Sequence, residues 1–471
     1  MIEISLREIV EAIGAKPNDA AAADLELLVS GSVETDSRLV GAGSLFFAKP
    51  GEVTDGHLFV SASAKAGAVA SVVEHLVDDA SDHPQLVVQN VVEALGLLAK
   101  HVLAVLSATE NLKVIGITGS NGKTTTKNML REILATAGET IAPIESYNNE
   151  VGAPISMLKA SHDTRFLVVE MGAGGLGSIA YLADIAKPNI GVVLKVGLAH
   201  VGEFGGIETT AKIKAELPAA LGDNDIFVYN ADDGYVRDMV DLNRAKKVSF
   251  GTAGDSQYRA TDLNLSIDGT SFEMHWPDAE ISKVTLKILG EHHVMNALAS
   301  LTVGDQLGVD RTKAIAALES MELAERWRMQ VSHRSDGITI INDAYNASPD
   351  STRAALQTLA QLGKTGRRTI AILGEMAELG HASRTEHDAI GRVVVRLNID
   401  QLVVVGEGAR LIHSGAVLEG SWDGESLFFD EIDQALEAVR EMLEPGDIVL
   451  VKSSKSANLR HLGDKLMEVR S

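Results

Sequence analysis

No stretch constrains this chain more than Val114-Ile115-Gly116-Ile117-Thr118-Gly119-Ser120-Asn121-Gly122-Lys123-Thr124-Thr125, where an apolar strand turns through glycines into a helix. Apolar runs further on, Phe166-Leu167-Val168-Val169 and Ile190-Gly191-Val192-Val193-Leu194, signal strands covered on both faces, which predicts a parallel α/β sheet with its ligands at the carboxyl edge. The glycines let successive backbone N–H groups close on phosphate oxygens, Lys123 can bridge terminal phosphates, and the Thr124 hydroxyl suits Mg²⁺. Gly119, Ser120, Asn121, Gly122, Lys123, Thr124 and Thr125 are therefore the expected ATP-binding residues. The usual G-x-x-x-x-G-K-[ST] pattern is varied here, since Ile117 stands at its first glycine. A glycine turn without chemistry is the alternative, and a lysine followed by three threonines weighs against it.

Length sets the number of units. At 471 residues and 45% hydrophobic content the chain can bury several cores, and roughly 150 residues per domain gives about three. Aromatic residues make up only 4%, which fits layered α/β units packed by Val, Ile, Leu and Ala. The formal charge of −23 argues against a polynucleotide partner, which would need clustered Lys and Arg to displace counterions. Zero cysteines exclude disulfides, thiolate nucleophiles and cysteine metal sites. The N-terminal residues carry acid and no secretory core, and nowhere do 18 apolar residues run uninterrupted, so a cytoplasmic protein with no membrane span is expected.

Three α/β units follow from the pattern of apolar runs. Residues 1–108 form a small unit with a short opening helix, strands near 44–48, 70–73 and 86–88, and a long helix near 92–106. Residues 109–328 form a central parallel-sheet ATPase unit, with strands at 114–118, 166–170, 190–196 and 226–229 and helices at 123–136 and 208–221. Residues 329–471 form a doubly wound, Rossmann-like unit, with strands near 338–342, 368–373, 401–405 and 447–451 and helices at 350–362, 383–396 and 431–443. Gly406-Glu407-Gly408 is too short for a dinucleotide fingerprint and reads as a turn, so no nicotinamide cofactor is predicted.

Several polar residues fall at the predicted ligand edge. Glu170 ends a strand beside the phosphate loop, where a carboxylate can hold Mg²⁺ or merely cap the next turn. His200 follows the strand near 190–196, as a ligand on the same edge or as a hydrogen-bonded loop residue. On the next helix Lys212 has Glu208 and Glu216 four residues away on either side, the mark of a solvated ion-paired face. Lys214 instead shares a face with Ile207, Ala211 and Leu217, so its amine points inward and needs an anion or a covalent change that removes its charge. In the third unit Asp343 can accept from ribose hydroxyls, and Tyr345 and Asn346 can flank a base; a plain loop with an N-cap at Ser348 or Asp350 is the alternative. His292 and His293 read as the polar first turn of an alanine-rich helix, since adjacent helical residues cannot face one ion.

Together these stretches resemble the Mur ligase family, ATP-dependent amide-forming enzymes of peptidoglycan precursor synthesis, over essentially the whole chain. The likeness rests on the order of motifs: Thr118 to Thr124, then Glu170, His200, Lys214, Asn296, Arg328 and Asp343. It implies that Asn296, Arg328 and Asp343 contact ATP and that Lys123, His200 and Lys214 are catalytic. Two Mg²⁺ ions are implied, one held by Thr124 and Glu170 and one by His200 and a carbamoylated Lys214. Thr35-Asp36-Ser37-Arg38 with Asp55-Gly56-His57 is similar to the unit that holds the uridine diphosphate, with Ser37 and Arg38 as substrate contacts. Tyr147-Asn148-Asn149-Glu150 is similar to the branch that adds D-alanyl-D-alanine to a UDP-N-acetylmuramoyl-tripeptide, which makes Asn148 and Asn149 substrate contacts. No Asp-Asn-Pro-Arg run, often carried by the branch adding diaminopimelate as third residue, is present. His293 stands where the family commonly has asparagine, and Lys452-Ser453-Ser454-Lys455 where it has a Lys-Gly-Ser-Arg-like run. That third-residue branch and a folylpolyglutamate-type ligase are the competing readings. A monomer and an interdomain ATP cleft that closes are further expectations.

Overall fold

Three larger sheets and a two-stranded pair organise the chain. The computed structural model describes all residues except 52–53, 110, 144–146, 199–204, 322–325, 421–423 and 469–471. The first sheet has the order Lys16–Pro17, Gln85–Val87, Ala70–Val73, Leu45–Phe47, Val33–Glu34. Its opening helix, Leu6–Ile13, starts at a capping box in which Ser5 and Glu8 satisfy each other's backbone N–H groups and stops at Gly14 in the left-handed region. The helix Val91–Ser107 leaves this unit and packs on Ser178–Ala186 of the next. Gly96 allows the approach, since a Cβ there would lie 2.1 Å from the Tyr181 hydroxyl. Leu95, Leu98, Val102 and Leu103 on that helix are buried in one core continuous with Val114, Leu167 and Leu217. Each such side chain contributes roughly 1.5–3 kcal/mol, so the first two units are joined by a shared interior rather than by a linker.

The central sheet has nine strands, and the order at its heart is Ile226–Asn230, Ile190–Val193, Lys113–Thr118, Phe166–Glu170. All pairings there are parallel, as the apolar runs predict. Tyr258–Ser266 still pairs parallel with Lys246–Gly251, and beyond that pair the expectation of a parallel sheet fails. Tyr258–Ser266, Gly269–His275 and Ile281–Leu286 add an antiparallel meander, in a stretch to which the periodicity assigns no element. Buried and open residues alternate along Tyr258–Ser266, and a sheet with one solvated face can be antiparallel. The other face of the sheet is covered by Lys123–Ala135, Glu291–Gln306 and Arg311–Ser320.

The third sheet runs Gln330–His333, Thr339–Asn342, Ile448–Lys452, Thr369–Leu373, Gln401–Val405, Ser426–Phe429. Apart from the first antiparallel pair it is parallel, with apolar cores on both faces. The last strand in sequence therefore sits mid-sheet. Gly406 turns at φ +90° into a single 3₁₀ turn, as expected of a loop glycine. Among the described residues no helix is long and apolar enough to cross a membrane.

Candidate active site

The phosphate loop leaves the strand Lys113–Thr118 at Gly119 and enters the helix Lys123–Ala135 at Gly122, with φ of +156° and +86°. Gly122 is doubly required, because a Cβ there would also come 2.3 Å from the Asn296 Oδ1. Asn296 thus abuts the loop from the helix Glu291–Gln306. Lys123 curls back so that its Nζ donates to the Gly119 carbonyl at 2.7 Å. Ser120 N–H donates to the Lys195 carbonyl at 2.8 Å, which ties the loop to the segment after Ile190–Val193. Thr125, next on the helix, is half-buried.

Glu170 is the hub of the edge, and it is 1% exposed. Its Oε1 accepts from Asn148 Nδ2 at 2.8 Å and from the Thr124 hydroxyl at 3.3 Å. Its Oε2 lies 3.9 Å from the Lys127 ammonium, which is wholly buried, and takes no hydrogen bond among the described residues. A buried carboxylate oxygen of that kind beside a threonine hydroxyl is a fitting donor pair for Mg²⁺, which needs few protein ligands and keeps its waters. Among the described residues no three His, Asp or Glu side chains gather around a point.

Cations surround this hub. Lys214, on Ile207–Ala219, is 3% exposed, and burial with the nearby Lys123 charge drives its amine well below the ordinary lysine value, against the pull of Glu216 and Glu170. Burial likewise lowers Lys123, opposed by Glu170 and assisted by Arg328. The inward aim read for Lys214 holds. Lys212 is exposed as expected, but Glu216 departs from the expected pairing: its two oxygens accept from the Gly177 and Ala180 N–H groups at the start of Ser178–Ala186. An anchored helix start outcompetes a solvated i,i+4 pair. His200 lies outside the described residues.

The third unit supplies the other wall. Arg328 stacks its guanidinium 4.3 Å above the Tyr345 ring. Asp343 accepts from Met329 N–H at 3.0 Å and from Lys452 at 2.5 Å, and Lys452 also donates to the Asn346 carbonyl at 3.1 Å. Asp343 is thus a structural anchor of the loop as well as the expected ribose acceptor. Asn346 is exposed, with its Oδ1 taken by Ala347 N–H. Ser348 is the N-cap of Pro349–Gly363. Asn149 caps too, its Oδ1 accepting from Gly152 N–H, whereas Asn148 reaches Glu170. Ser37 and Arg38 lie on the first unit, where Arg38 is open to solvent and holds the Asp36 carboxyl down at about 2.

Between the central and third units opens a cleft of about 540 Å³, sized for a nucleoside. Asn121, Gly122, Asn230, Phe250 and Asn296 line one side, and Asp350 and Arg353 the other. Sequence reasoning found Gly122 and Asn296 but missed Asn230, Phe250 and Lys127. Lys127 had a legible signal, a lysine one turn beyond Lys123 on a helix whose neighbours Met129 and Leu130 are core. His292 also lines the cleft. Burial, opposed by Asp343 and reinforced by Lys452 and Lys195, brings it down to about 4. Its folded value lies below the unfolded one, so the unfolded chain takes up a proton that the folded chain refuses between about pH 6.5 and 4. Stability is then fully present above that window and lost as the pH falls through it. Urea unfolding at pH 7 and pH 5 should show a smaller acid loss in His292→Gln than in the unaltered protein; equal losses would refute this.

Three sequence families match in chain order: the Mur ligase family catalytic domain over residues 31–103, the Mur ligase middle domain over 117–304, and the Mur ligase glutamate ligase domain over 327–455. The UDP-N-acetylmuramoyl-tripeptide--D-alanyl-D-alanine ligase of Mycobacterium tuberculosis H37Rv is 41% identical, covering 99% of this chain and 98% of its own. The chain belongs to the Mur ligase family. It is accordingly an ATP-dependent ligase, and its three-unit α/β architecture is that of Mur ligases. Among solved structures, MurF from Acinetobacter baumannii superposes with a TM-score of 0.89 at 28% identity over 99% of both chains. The MurF ligase of Thermotoga maritima, solved in complex with ADP, gives 0.80 at 26% identity over 93% of this chain and 97% of its own.

Proposed function

We propose that this Mur ligase joins D-alanyl-D-alanine to a UDP-N-acetylmuramoyl-tripeptide in the cytoplasm, by way of an acyl phosphate. The observation that carries the chemistry is the Glu170 edge, where Thr124 and the Lys123 and Lys214 charges meet a carboxylate whose buried Oε2 takes no hydrogen bond among the described residues. The tripeptide's terminal carboxylate attacks the γ-phosphorus of ATP and ADP leaves. The dipeptide amine then attacks the acyl carbon, loses its proton, and inorganic phosphate departs. Two anions must meet in the first step, so fixed positive charge is the physical requirement.

Lys123 releases the Gly119 carbonyl and turns its ammonium to the β and γ phosphates. Arg328, held over Tyr345 of the third unit, adds charge. Thr124 and Glu170 would hold one Mg²⁺, and Lys214 as its carbamate, with His200, a second. Bound there, Mg²⁺ supplies charge neutralisation for the phosphate oxygens. The cleft lined by Asn296 and Asn230 takes the nucleoside, and the unit carrying Ser37 and Arg38 takes the uridine diphosphate end.

Phosphate release from ATP should require both D-alanyl-D-alanine and the UDP-muramoyl tripeptide, tried with lysine and with diaminopimelate as third residue. Turnover with the dipeptide substrate and a single amino acid instead would overturn the assignment.

A further inference from the structure

The helix Pro349–Gly363 begins with Ser348 as N-cap, Pro349 at its first position and Asp350 next. A carboxylate in a first turn is favoured by the helix dipole, yet Asp350 is turned away from its own helix. Its Oδ2 accepts from Leu198 N–H at 3.0 Å, on the central unit 152 residues upstream. Its Oδ1 lies 3.7 Å from Arg353, whose guanidinium is fixed in turn by Glu386 at 2.5 Å. The contact is tight, for a Cβ on Gly197 would stand 2.4 Å from Asp350 Oδ2. Gly197 is not in the left-handed region, so a side chain there would meet the Asp350 carboxylate and push it aside rather than strain the backbone.

Gly197 also holds the phosphate loop. Its N–H donates to Ser120 Oγ at 2.9 Å, and that hydroxyl donates to the Gly197 carbonyl at 3.2 Å. Ser348 Oγ reaches Asn121 Oδ1 at 3.4 Å. Both residues ahead of Gly122 and Lys123 are therefore touched from the third unit, Asn121 directly and Ser120 through Gly197.

We propose that Asp350 is a positioning residue, a latch that registers the docked third unit on the phosphate loop through Leu198, Gly197 and Ser120. It touches no reacting atom; it sets where Lys123 and Thr124 stand when the cleft is closed. This rests on the nucleotide reading of the cleft. A displacement of about 1 Å at reacting groups costs on the order of a hundredfold, which sets the scale of the effect.

The test is kinetic and uses the whole chain, with melting temperatures as a folding control. Asp350→Ala and Gly197→Ala should each lower kcat about ten- to hundredfold while the KM for the UDP-tripeptide, bound at the first unit, changes less than about threefold. Asp350→Asn keeps an acceptor oxygen and should recover most of the loss. Because the added methyl of Gly197→Ala acts against Asp350, the double variant with Asp350→Ala should be no worse than Asp350→Ala alone. Multiplicative losses, unchanged kcat, or a KM effect in place of a kcat effect would overturn the latch. Small-angle scattering with a non-hydrolysable ATP analogue and tripeptide separates the two readings. Compaction of the unaltered protein but not of Asp350→Ala supports the latch, and equal compaction of both removes it. No compaction of either would remove the cleft reading and the latch together.

Discussion

Lys214→Ala is expected to lower turnover by on the order of a thousandfold or more, the scale of losing a fixed charge at a phosphoryl-transfer centre. The side chain is 3% exposed, and burial with the neighbouring Lys123 charge drives its amine well below the usual lysine range. That shift enlarges the fraction of neutral amine, the form whose lone pair adds to CO₂. In the proposed carbamate the nitrogen would bond to carbon, a proton would leave to solvent, and an anion would replace a buried cation. A short carboxylic acid such as acetate should then restore part of the activity of Lys214→Ala, while leaving the unaltered enzyme unmoved. Steady-state phosphate release with and without the acid measures this, and normal activity in the alanine variant would refute the carbamate. Stability should move the other way. With the folded value depressed, the unfolded chain holds a proton that the folded chain lacks below the unfolded lysine value, so Lys214 weakens the fold at neutral pH. Lys214→Met is expected to melt higher than the unaltered protein in bicarbonate-free buffer while remaining inactive.

Glu170→Ala should fail in both respects. The carboxylate binds Asn148 and Thr124 and stands 3.9 Å from the wholly buried Lys127. Removing it takes away the proposed metal donor and one buried partner of the Lys127 ammonium. Breaking one partner from such a pair costs roughly 3 kcal/mol, which urea unfolding can read, and turnover should fall below detection. Glu170→Gln, which keeps the Asn148 and Thr124 contacts possible, should lose most activity at a smaller stability cost. Unchanged stability in the alanine variant would mean that Lys127 does not depend on Glu170.

The parallel cores and the glycine loop were legible because buried strands announce themselves as unbroken apolar runs and because a Gly-Lys-Thr run after such a strand has few other uses. Lys214 was legible from helical spacing alone. The meander from Tyr258 to Leu286 was not, since its alternating pattern is weak per residue and its register is set by neighbouring strands. Asn149 and Asp343 were read as ligand contacts, and the structure adds local work for both: one caps Gly152–Met157, the other fastens Lys452 and Met329. Sequence shows that a polar residue stands at a sheet edge, but only the fold shows how many of its lone pairs are already engaged. Phe250 and Asn230 escaped notice for a similar reason, because their place beside the cleft depends on how two units face each other.

The last strand, Ile448–Lys452, lies between Thr339–Asn342 and Thr369–Leu373, and it carries the lysine that grips Asp343. During synthesis the third sheet therefore has a gap at its centre until almost the whole polypeptide has left the ribosome. The first two units, already sharing an interior, can settle beforehand. The cleft between the central and third units is in this sense the final thing the nascent chain builds, and no shortened translation product ending before residue 448 can own a complete one.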